Sequence, residues 1–393
     1  MATGSTPAMV SLTPVSGNRR IEAIDILRGI SIFGVLASDM IGLSSPEHHF
    51  GPGLIWTDPA SRAIAFLLDV LVSEKFLTLF SVLFGIGLAI QFERSTKYGV
   101  TSLAFYWRRF AGLLLMGIVH GLFFWSGDIL TTYAVFGALL LLFRNRTQKT
   151  VLSWAAGLQI LMFVAALAVW LYGGKRLPVP EELERQVALY GQGTWEAIQQ
   201  ARIGDYVERH VGSLPLLLPF IFPRLLFGLW LWRTGVLQSL SDSKALLRRI
   251  CFGGIAIGIA GEATTAMLAQ GDMGPLRVIC IPVLACGYAC GIALFASAGS
   301  WPGLHRALAA VGRTSLSNYL FQRVLCTTLF YSYGFGLYGK VGPLAGLGIT
   351  SLVFVVQLLL TTFWMRHFQH GPLEWAWRSL SYWRLQQMRA PAT

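Results

Sequence analysis

The sequence predicts an all-α, polytopic integral membrane protein of about ten transmembrane helices, one of them broken or re-entrant. Three observations predict this fold. Of 393 residues, 54% are hydrophobic and 13% are charged, which is about half the charged fraction of a soluble domain. Long apolar runs follow one another, many of them near the ~20 residues that a helix needs to cross the hydrocarbon core. Basic residues also fall unevenly on the two sides of these runs.

The apolar runs define the expected spans. The second run is too long for one straight crossing and carries Asp69, Glu74 and Lys75 near its middle. We therefore expect this span to be tilted, broken or re-entrant. The ten expected spans cover residues 24–44, 62–92, 108–126, 128–144, 151–172, 213–237, 249–269, 275–298, 307–331 and 343–365.

The remaining segments complete the predicted domain organisation. Residues 1–18 contain no charged side chain and no apolar run of spanning length, and are expected to be a disordered tail. A membrane domain is predicted over 19–368, with an external segment at 173–212 that forms an interfacial helix or a lid. Residues 369–393 are predicted to form a cytoplasmic amphipathic tail rich in aromatic residues, which favour the membrane–water interface.

The distribution of basic residues sets the orientation. With ten crossings, 20 Lys and Arg residues lie on the side of the termini and eight lie on the other side. Cytoplasmic loops collect Lys and Arg, so both termini are predicted to be cytoplasmic; an eleventh crossing would reverse the later loops. The net charge of +12 is attributed to this bias. No compact basic patch with interleaved aromatics is present, so membrane lipids rather than nucleic acid are the expected partners.

Ionisable side chains within a span are costly and are expected to have a partner or a task. Asp25 and Arg28 are three residues apart at the predicted cytoplasmic end of the first helix, a spacing that allows pairing on one face. The alternative is a topology anchor. Asp39 follows Arg28 by eleven residues, ~16 Å along the helix. It has no cation near it in sequence, so it requires a partner, a proton or a water-filled cavity.

Two histidines follow in the first external loop, His48 and His49. Histidine is suited to general base catalysis because its pKa lies near neutral pH. The alternative is a pair of solvated loop histidines. Adjacent histidines rarely chelate one ion, and no His-x-x-x-His spacing occurs, so no metal site is predicted.

Further polar residues lie in or beside later spans. His120 and Asp128 bracket a short turn between the third and fourth spans, where capping of the fourth helix by Asp128 is an equally good interpretation. Glu262, Arg224 and Arg323 lie within spans. An ion pair among these three is expected and would require no catalysis.

Six ordered stretches resemble the YeiB-like family of bacterial membrane proteins, catalogued as domain of unknown function 418, and the resemblance covers residues from about 20 to 385. The stretches are IDILRGI at 24–30, KFLTLFSVLFGIG at 75–87, HGLFFWSGDIL at 120–130, GRTSLSNYLFQ at 312–322, FYSYGFGLYG at 330–339 and GPLEW at 371–375.

This family is similar to a wider group of membrane acyltransferases, which includes acyltransferase family 3 and the lysosomal heparan-α-glucosaminide N-acetyltransferase. The resemblance lies in the Arg-Gly pair that opens the first helix. In acyltransferase family 3 a histidine stands where this chain has Asp39, and YeiB-like proteins usually have asparagine there. The key histidine of the lysosomal enzyme falls in the following loop, where His48 and His49 lie. The chain thus departs from the family 3 pattern at Asp39.

The resemblance implies a membrane-embedded acyltransferase of the bacterial inner membrane. Such an enzyme moves an acyl group from cytoplasmic acyl-CoA to a hydroxyl or amine of an extracytoplasmic or lipid-linked acceptor. His49 or His48 is then the expected general base, with Asp39 orienting it. Arg28, with Asp25 beside it, or Lys75 is expected to hold the acyl-CoA phosphates or the thioester oxygen.

The alternative is a transporter or lipid-handling protein without catalysis, since broken helices and charges within spans fit that class too. The acyl group, the acceptor and the oligomeric state are left open, a homodimer being one expectation.

Overall fold

The computed structural model describes residues 22–46, 55–97, 103–173, 180–237, 243–269 and 274–389. Within these residues the chain forms fifteen α-helices and no β-strand, with one isolated bridge between Phe368 and Arg389. The prediction of an all-α polytopic membrane protein is confirmed. The helices are α1 (Glu22–Ser44), α2 (Pro59–Leu71), α3 (Lys75–Lys97), α4 (Leu103–Phe123), α5 (Leu130–Leu140), α6 (Gln148–Tyr172), α7 (Pro180–Gln192), α8 (Trp195–Val207), α9 (Leu214–Arg233), α10 (Lys244–Ala269), α11 (Arg277–Ser297), α12 (Pro302–Arg313), α13 (Ser315–Phe330), α14 (Pro343–His367) and α15 (Pro372–Tyr382).

Seven helical segments of the described chain are long and apolar enough to cross a membrane. They are α1, the α2–α3 unit, α6, α9, α10, α11 and α14. The other three expected spans form α4, which carries two arginines near its start, the short α5, and the interrupted pair α12 and α13. The count of ten crossings and the cytoplasmic position of both termini stay predictions.

The second span is broken, as its length and its internal charges predicted. α2 ends at Leu71 and α3 begins at Lys75. Between them Glu74 adopts a φ of 66°, a left-handed conformation that L-residues rarely take. α3 has 23 residues, about 34 Å of helix, so it is long enough to span on its own.

α1 and α12 cross closely near Arg28. The crossing depends on one glycine of each helix, Gly29 and Gly312. A Cβ on Gly312 would lie 1.8 Å from the carbonyl oxygen of Asp25, and one on Gly29 would lie 2.1 Å from the carbonyl oxygen of Leu308. Contacts this short exclude any side chain, so α1 and α12 touch backbone to backbone. Small residues serve the same purpose at many membrane helix interfaces.

Residues 180–212, within the predicted external segment, form α7, α8 and a π-helical turn over Glu208–Gly212. α8 packs on the C-terminal end of α4, where Gln199 donates to the carbonyl of Leu122 at 2.6 Å. Arg202 donates to the carbonyl of Phe123 at 2.5 Å. These donors satisfy carbonyl groups that a helix end leaves without partners. α8 therefore covers the end of α4 at which His120 lies.

Candidate functional site

The most distinctive polar pair joins the end of α4 to the start of α5. His120 Nδ1 and Asp128 Oδ1 are 2.9 Å apart, and both side chains are completely buried. The second carboxylate oxygen of Asp128 accepts from the backbone N–H of Thr131 at 2.7 Å. Asp128 therefore bonds the first turn of α5 from the residue before the N-cap Ile129, and the same carboxylate also binds the imidazole.

This arrangement orients the imidazole for base chemistry. An ionised carboxylate can only accept hydrogen bonds, so Nδ1 of His120 is the donor to Asp128. In the neutral imidazole Nε2 then carries the lone pair, and it has no hydrogen-bond partner among the described residues. A carboxylate on one nitrogen and a free lone pair on the other are the arrangement that makes histidine a general base in hydrolases.

One glycine of α4 makes room for the His120–Asp128 pair, and a second makes room for the ring of Tyr206. A Cβ on Gly117 would lie 2.8 Å from Oδ2 of Asp128 and 2.6 Å from the backbone nitrogen of Thr131. A Cβ on Gly121 would lie 2.2 Å from the ring of Tyr206. Gly121 belongs to the HGLFFWSGDIL stretch, so part of that motif has a steric explanation.

A second histidine supports the backbone of Asp128. His210, in the π-helical turn after α8, has Nε2 2.9 Å from the carbonyl oxygen of Asp128. Its Nδ1 lies 3.1 Å from the carbonyl oxygen of Tyr206, and the Tyr206 hydroxyl is 2.9 Å from Oγ1 of Thr131. α8 and the π-helical turn after it therefore hold the turn that carries the carboxylate.

Asp39 is paired with a cation that is distant in sequence. Its carboxylate contacts Arg323 of α13, whose guanidinium is completely buried. The ring of Tyr319 lies between the two pairs: its centroid is 5.3 Å from that of His120 and 4.8 Å from Cζ of Arg323. We call these five residues the dyad site: Asp39, His120, Asp128, Tyr319 and Arg323.

The residues predicted to hold acyl-CoA lie in two separate places. Asp25 and Arg28 pair at 3.5 Å on one face of α1, as their spacing predicted. Lys75 is completely buried, contacts Glu262 and donates to the carbonyl of Asp69 at 2.7 Å. Their roles toward acyl-CoA stay predictions.

Lys75 belongs to a charged group that we call the break cluster: Asp69, Lys75, Glu262 and Arg277. Arg277 bonds both oxygens of Asp69, at 2.8 and 3.2 Å, and lies 3.3 Å from Glu262. The two cations and two carboxylates balance in charge and surround the interruption between α2 and α3.

The expected ion pair among Glu262, Arg224 and Arg323 is wrong. Glu262 pairs with Lys75 and Arg277, while Arg323 pairs with Asp39. Arg224 donates to the carbonyl of Phe220 in its own helix at 2.5 Å. Sequence spacing gave no means of choosing these partners, because each pair joins helices that are distant along the chain.

The two predicted catalytic histidines, His48 and His49, lie outside the described residues, so their role stays a prediction. Among the described residues, no three His, Cys, Asp or Glu side chains are grouped as metal ligands. Sequence reasoning identified His120 and Asp128 as a bracketed turn but did not include them among the site residues. The available signal was the eight-residue separation of a histidine and an aspartate across a helix end.

The comparisons with known proteins agree on one family. Residues 231–384 match the family model described as "Protein of unknown function (DUF418)". The chain is 32% identical to the uncharacterized protein YxaH of Bacillus subtilis, over 95% of this chain and 97% of that protein. It is 30% identical to the uncharacterized protein YeiB of Escherichia coli, over 92% of this chain and 96% of that protein. No solved structure matches the chain. The protein thus belongs to the YeiB-like family, DUF418.

Proposed function

We propose that the protein is a membrane-embedded acyltransferase of the bacterial inner membrane. It transfers an acyl group from cytoplasmic acyl-CoA to a hydroxyl or amine of an extracytoplasmic or lipid-linked acceptor. One observation carries the proposal: the buried His120–Asp128 pair, with Nε2 of His120 unpartnered. A buried polar atom without a partner is costly, and a substrate hydroxyl is the partner that a general base requires.

The residues act as follows in the proposed reaction. Nε2 of His120 takes the proton of the acceptor hydroxyl while the acceptor oxygen attacks the thioester carbonyl carbon. Asp128 holds Nδ1 and stabilises the imidazolium that forms. When the C–S bond breaks, the electron pair of that bond leaves with sulfur. Nε2–H then protonates the thiolate, so that acyl-CoA and alcohol become ester and free CoA thiol.

A further feature supports this assignment. The His120–Asp128 pair, which we call the dyad, lies beside an aromatic ring, Tyr319, rather than in open solvent, and a site with little water keeps a reactive acyl group from hydrolysis. His120 has no exposed surface, so the substrate reaches Nε2 only when neighbouring side chains move. Phe124, in the turn that leads to Asp128, is one of these neighbours.

The test is acyl transfer by the purified full-length protein in lipid nanodiscs. Acetyl-CoA and palmitoyl-CoA serve as donors, and release of CoA thiol is followed with and without bacterial lipid extract as the acceptor source. We expect His120→Gln and Asp128→Asn each to lower the rate by about 10²–10⁴-fold. Asp128→Asn is informative because an amide oxygen can still cap Thr131 but can no longer fix the imidazole tautomer.

A matched control is available at His305, which is also buried with Nε2 unpartnered but makes an edge-to-face contact with Phe295 instead of bonding a carboxylate. His305→Gln is expected to keep the wild-type rate. The double variant His48→Ala/His49→Ala separates the two histidine assignments. If the double variant abolishes transfer and His120→Gln does not, the loop histidines are the base and His120 is not. If neither the wild-type protein nor any variant releases thiol, the protein is not an acyltransferase.

A transporter is the second candidate, and the break between α2 and α3 is the observation that favours it. Interrupted helices with charges at the break form substrate sites in many transporters, and Lys75, Glu262 and Arg277 lie there. Proteoliposomes without an acyl donor, loaded with a pH-sensitive dye, test for proton movement. Flux that Glu262→Gln loses and His120→Gln keeps supports transport, whereas acyl transfer without flux rejects it.

A further inference from the structure

Arg323 is completely buried, although it forms a single ion pair among the described residues. Its side chain has no exposed surface, and Asp39 is its one carboxylate partner among the described residues. Nε and Nη1 of the guanidinium have no partner at hydrogen-bond distance and angle within the same residues, while the Tyr319 hydroxyl interacts with the guanidinium. Each buried donor without a partner costs free energy, so a side chain in this state is a candidate for binding an anion or a polarised oxygen.

The surroundings of Arg323 connect it to the dyad. Its Cζ lies 4.5 Å from the ring centroid of Trp125 and 4.8 Å from that of Tyr319. Trp125 belongs to the turn between α4 and α5 that carries Asp128, and Tyr319 is also in contact with His120. The guanidinium and the imidazole therefore share a neighbour and have unpartnered nitrogens in one region of the protein.

The Asp39–Arg323 pair has one accessible side and one buried side. Its side chain is 26% exposed while that of Arg323 is completely buried, so the carboxylate covers the guanidinium from the more accessible side. No histidine among the described residues is bonded to Asp39, whose hydrogen-bond partner is Arg323. The structure therefore separates the two carboxylates of the dyad site: Asp128 serves the imidazole, and Asp39 serves the guanidinium.

We propose that Arg323 is a further catalytic residue, which stabilises the negative charge on the acyl carbonyl oxygen, and that Asp39 is a positioning residue that holds the guanidinium. The inference rests on the proposed acyl transfer. As the acceptor oxygen bonds to the carbonyl carbon, the π electron pair of the C=O bond moves onto oxygen. A donor from Arg323 binds this oxyanion until the C=O bond forms again and thiolate leaves.

Arginine is suited to this task. Its guanidinium stays protonated at all working pH values and offers five N–H donors in a fixed plane. The rings of Trp125 and Tyr319 hold that plane, so little reorganisation is needed when charge develops. Preorganised donors of this kind, in a site with little water, commonly contribute 10²–10³-fold in rate.

Arg224 provides the matched control. It is also buried within a span and also has an unpartnered Nε, but it stacks on Phe220, 3.7 Å from the ring centroid, and donates to the carbonyl of the same residue. Its bonds stay within α9. A purely structural role of Arg323 would make the two arginines alike in their effects on rate.

The experiment measures kcat, KM and melting temperature for Arg323→Gln, Arg323→Lys, Asp39→Asn, Asp39→Glu and Arg224→Lys in the acyl transfer assay. We expect Arg323→Gln to lower kcat by about 10²–10³-fold with KM changed less than ~3-fold. Arg323→Lys should recover part of this loss, because it keeps the charge and the ion pair. Asp39→Asn should lower kcat about tenfold, since the guanidinium is less well held, and Asp39→Glu should restore most of it. Arg224→Lys should stay within ~2-fold of wild type.

Three outcomes would overturn the inference. Wild-type kcat in Arg323→Gln, while His120→Gln is inactive, rejects Arg323 and leaves the proposed function standing. A loss in kcat for Arg323→Lys that follows the fall in melting temperature, together with an equal loss in Arg224→Lys, shows a structural role instead. An inactive wild type overturns both the proposed function and the inference.

Discussion

The dyad site and the break cluster are both buried groups of charges in the same protein, and they differ in chemistry. In the break cluster the cations and carboxylates are equal in number, and Lys75 also bonds the carbonyl of Asp69 across the helix interruption. None of its four members is a histidine. The dyad site contains an imidazole with a free nitrogen. Buried charge alone therefore does not identify a site; an available lone pair next to a carboxylate does.

The largest effect on stability is expected in the break cluster. Lys75→Met leaves Glu262 buried without its nearest cation, and removing one partner of a buried pair typically costs 3–5 kcal/mol. The double variant Lys75→Met/Glu262→Met should recover much of this loss, because Arg277 keeps its two bonds to Asp69. Thermal unfolding in detergent measures both. A double variant no more stable than the single one would show that the cluster is not an electrostatic support.

A smaller effect on stability is expected at the dyad. His120→Gln keeps a polar side chain that can bond Asp128, so its melting temperature should fall by less than that of Lys75→Met, corresponding to about 1–2 kcal/mol. Its acyl transfer rate should nevertheless fall far more than its stability. Circular dichroism melting, measured beside the transfer assay, separates the two quantities. Equal stability losses in both variants would remove the distinction between the regions.

A stability loss of comparable size is expected in the amide network between α13 and α14. Gln322 donates to Gln357 at 2.9 Å, and Gln357 donates to the carbonyl of Asn318 at 2.9 Å. Gln357→Leu removes both of these hydrogen bonds and leaves Gln322 Nε2 with only its longer bond to the carbonyl of Ile32, at a cost of about 1–3 kcal/mol. The melting temperature should fall while kcat changes little, because the network lies one helix face away from the unpartnered nitrogens. A selective loss of kcat would extend the site into this network.

The smallest effect is expected at Glu374 of α15. Its carboxylate accepts from the backbone N–H groups of Leu316 and Ser317, at 2.7 and 3.1 Å. Burial raises the pKa of this carboxyl above its ordinary value, and the hydrogen bonds from Ser317 oppose the rise. The folded state then holds the proton more tightly than the unfolded state, so this group's contribution to stability is full at pH values below its unfolded pKa and is lost as pH rises through its folded pKa.

Glu374→Gln keeps both acceptor contacts and removes the ionisation. The stability of this variant relative to wild type should therefore increase as pH rises above about 4.5. Melting temperatures of both proteins across pH 4–8 provide the measurement. A difference that stays constant over this range would mean that the pKa of Glu374 is unchanged by folding.

The amino-acid sequence is sufficient to predict the class of fold and the helices that carry charged residues. Apolar runs predict membrane helices because the backbone must satisfy its own hydrogen bonds in hydrocarbon, and the charges at Asp69, Glu74 and Lys75 indicate where the second span is broken. The sequence also indicates that Asp39 needs a partner, since a lone carboxylate within a membrane span is costly.

The pairing of the charges, by contrast, depends on how the helices pack in the folded protein. Arg323 is 284 residues from Asp39 and Glu262 is 187 residues from Lys75. No helical periodicity relates such positions, because side-chain spacing predicts neighbours only within one helix. Which nitrogen of His120 stays free likewise depends on how α4 and α5 pack around Gly117, a contact between two helices that the linear order of residues does not encode.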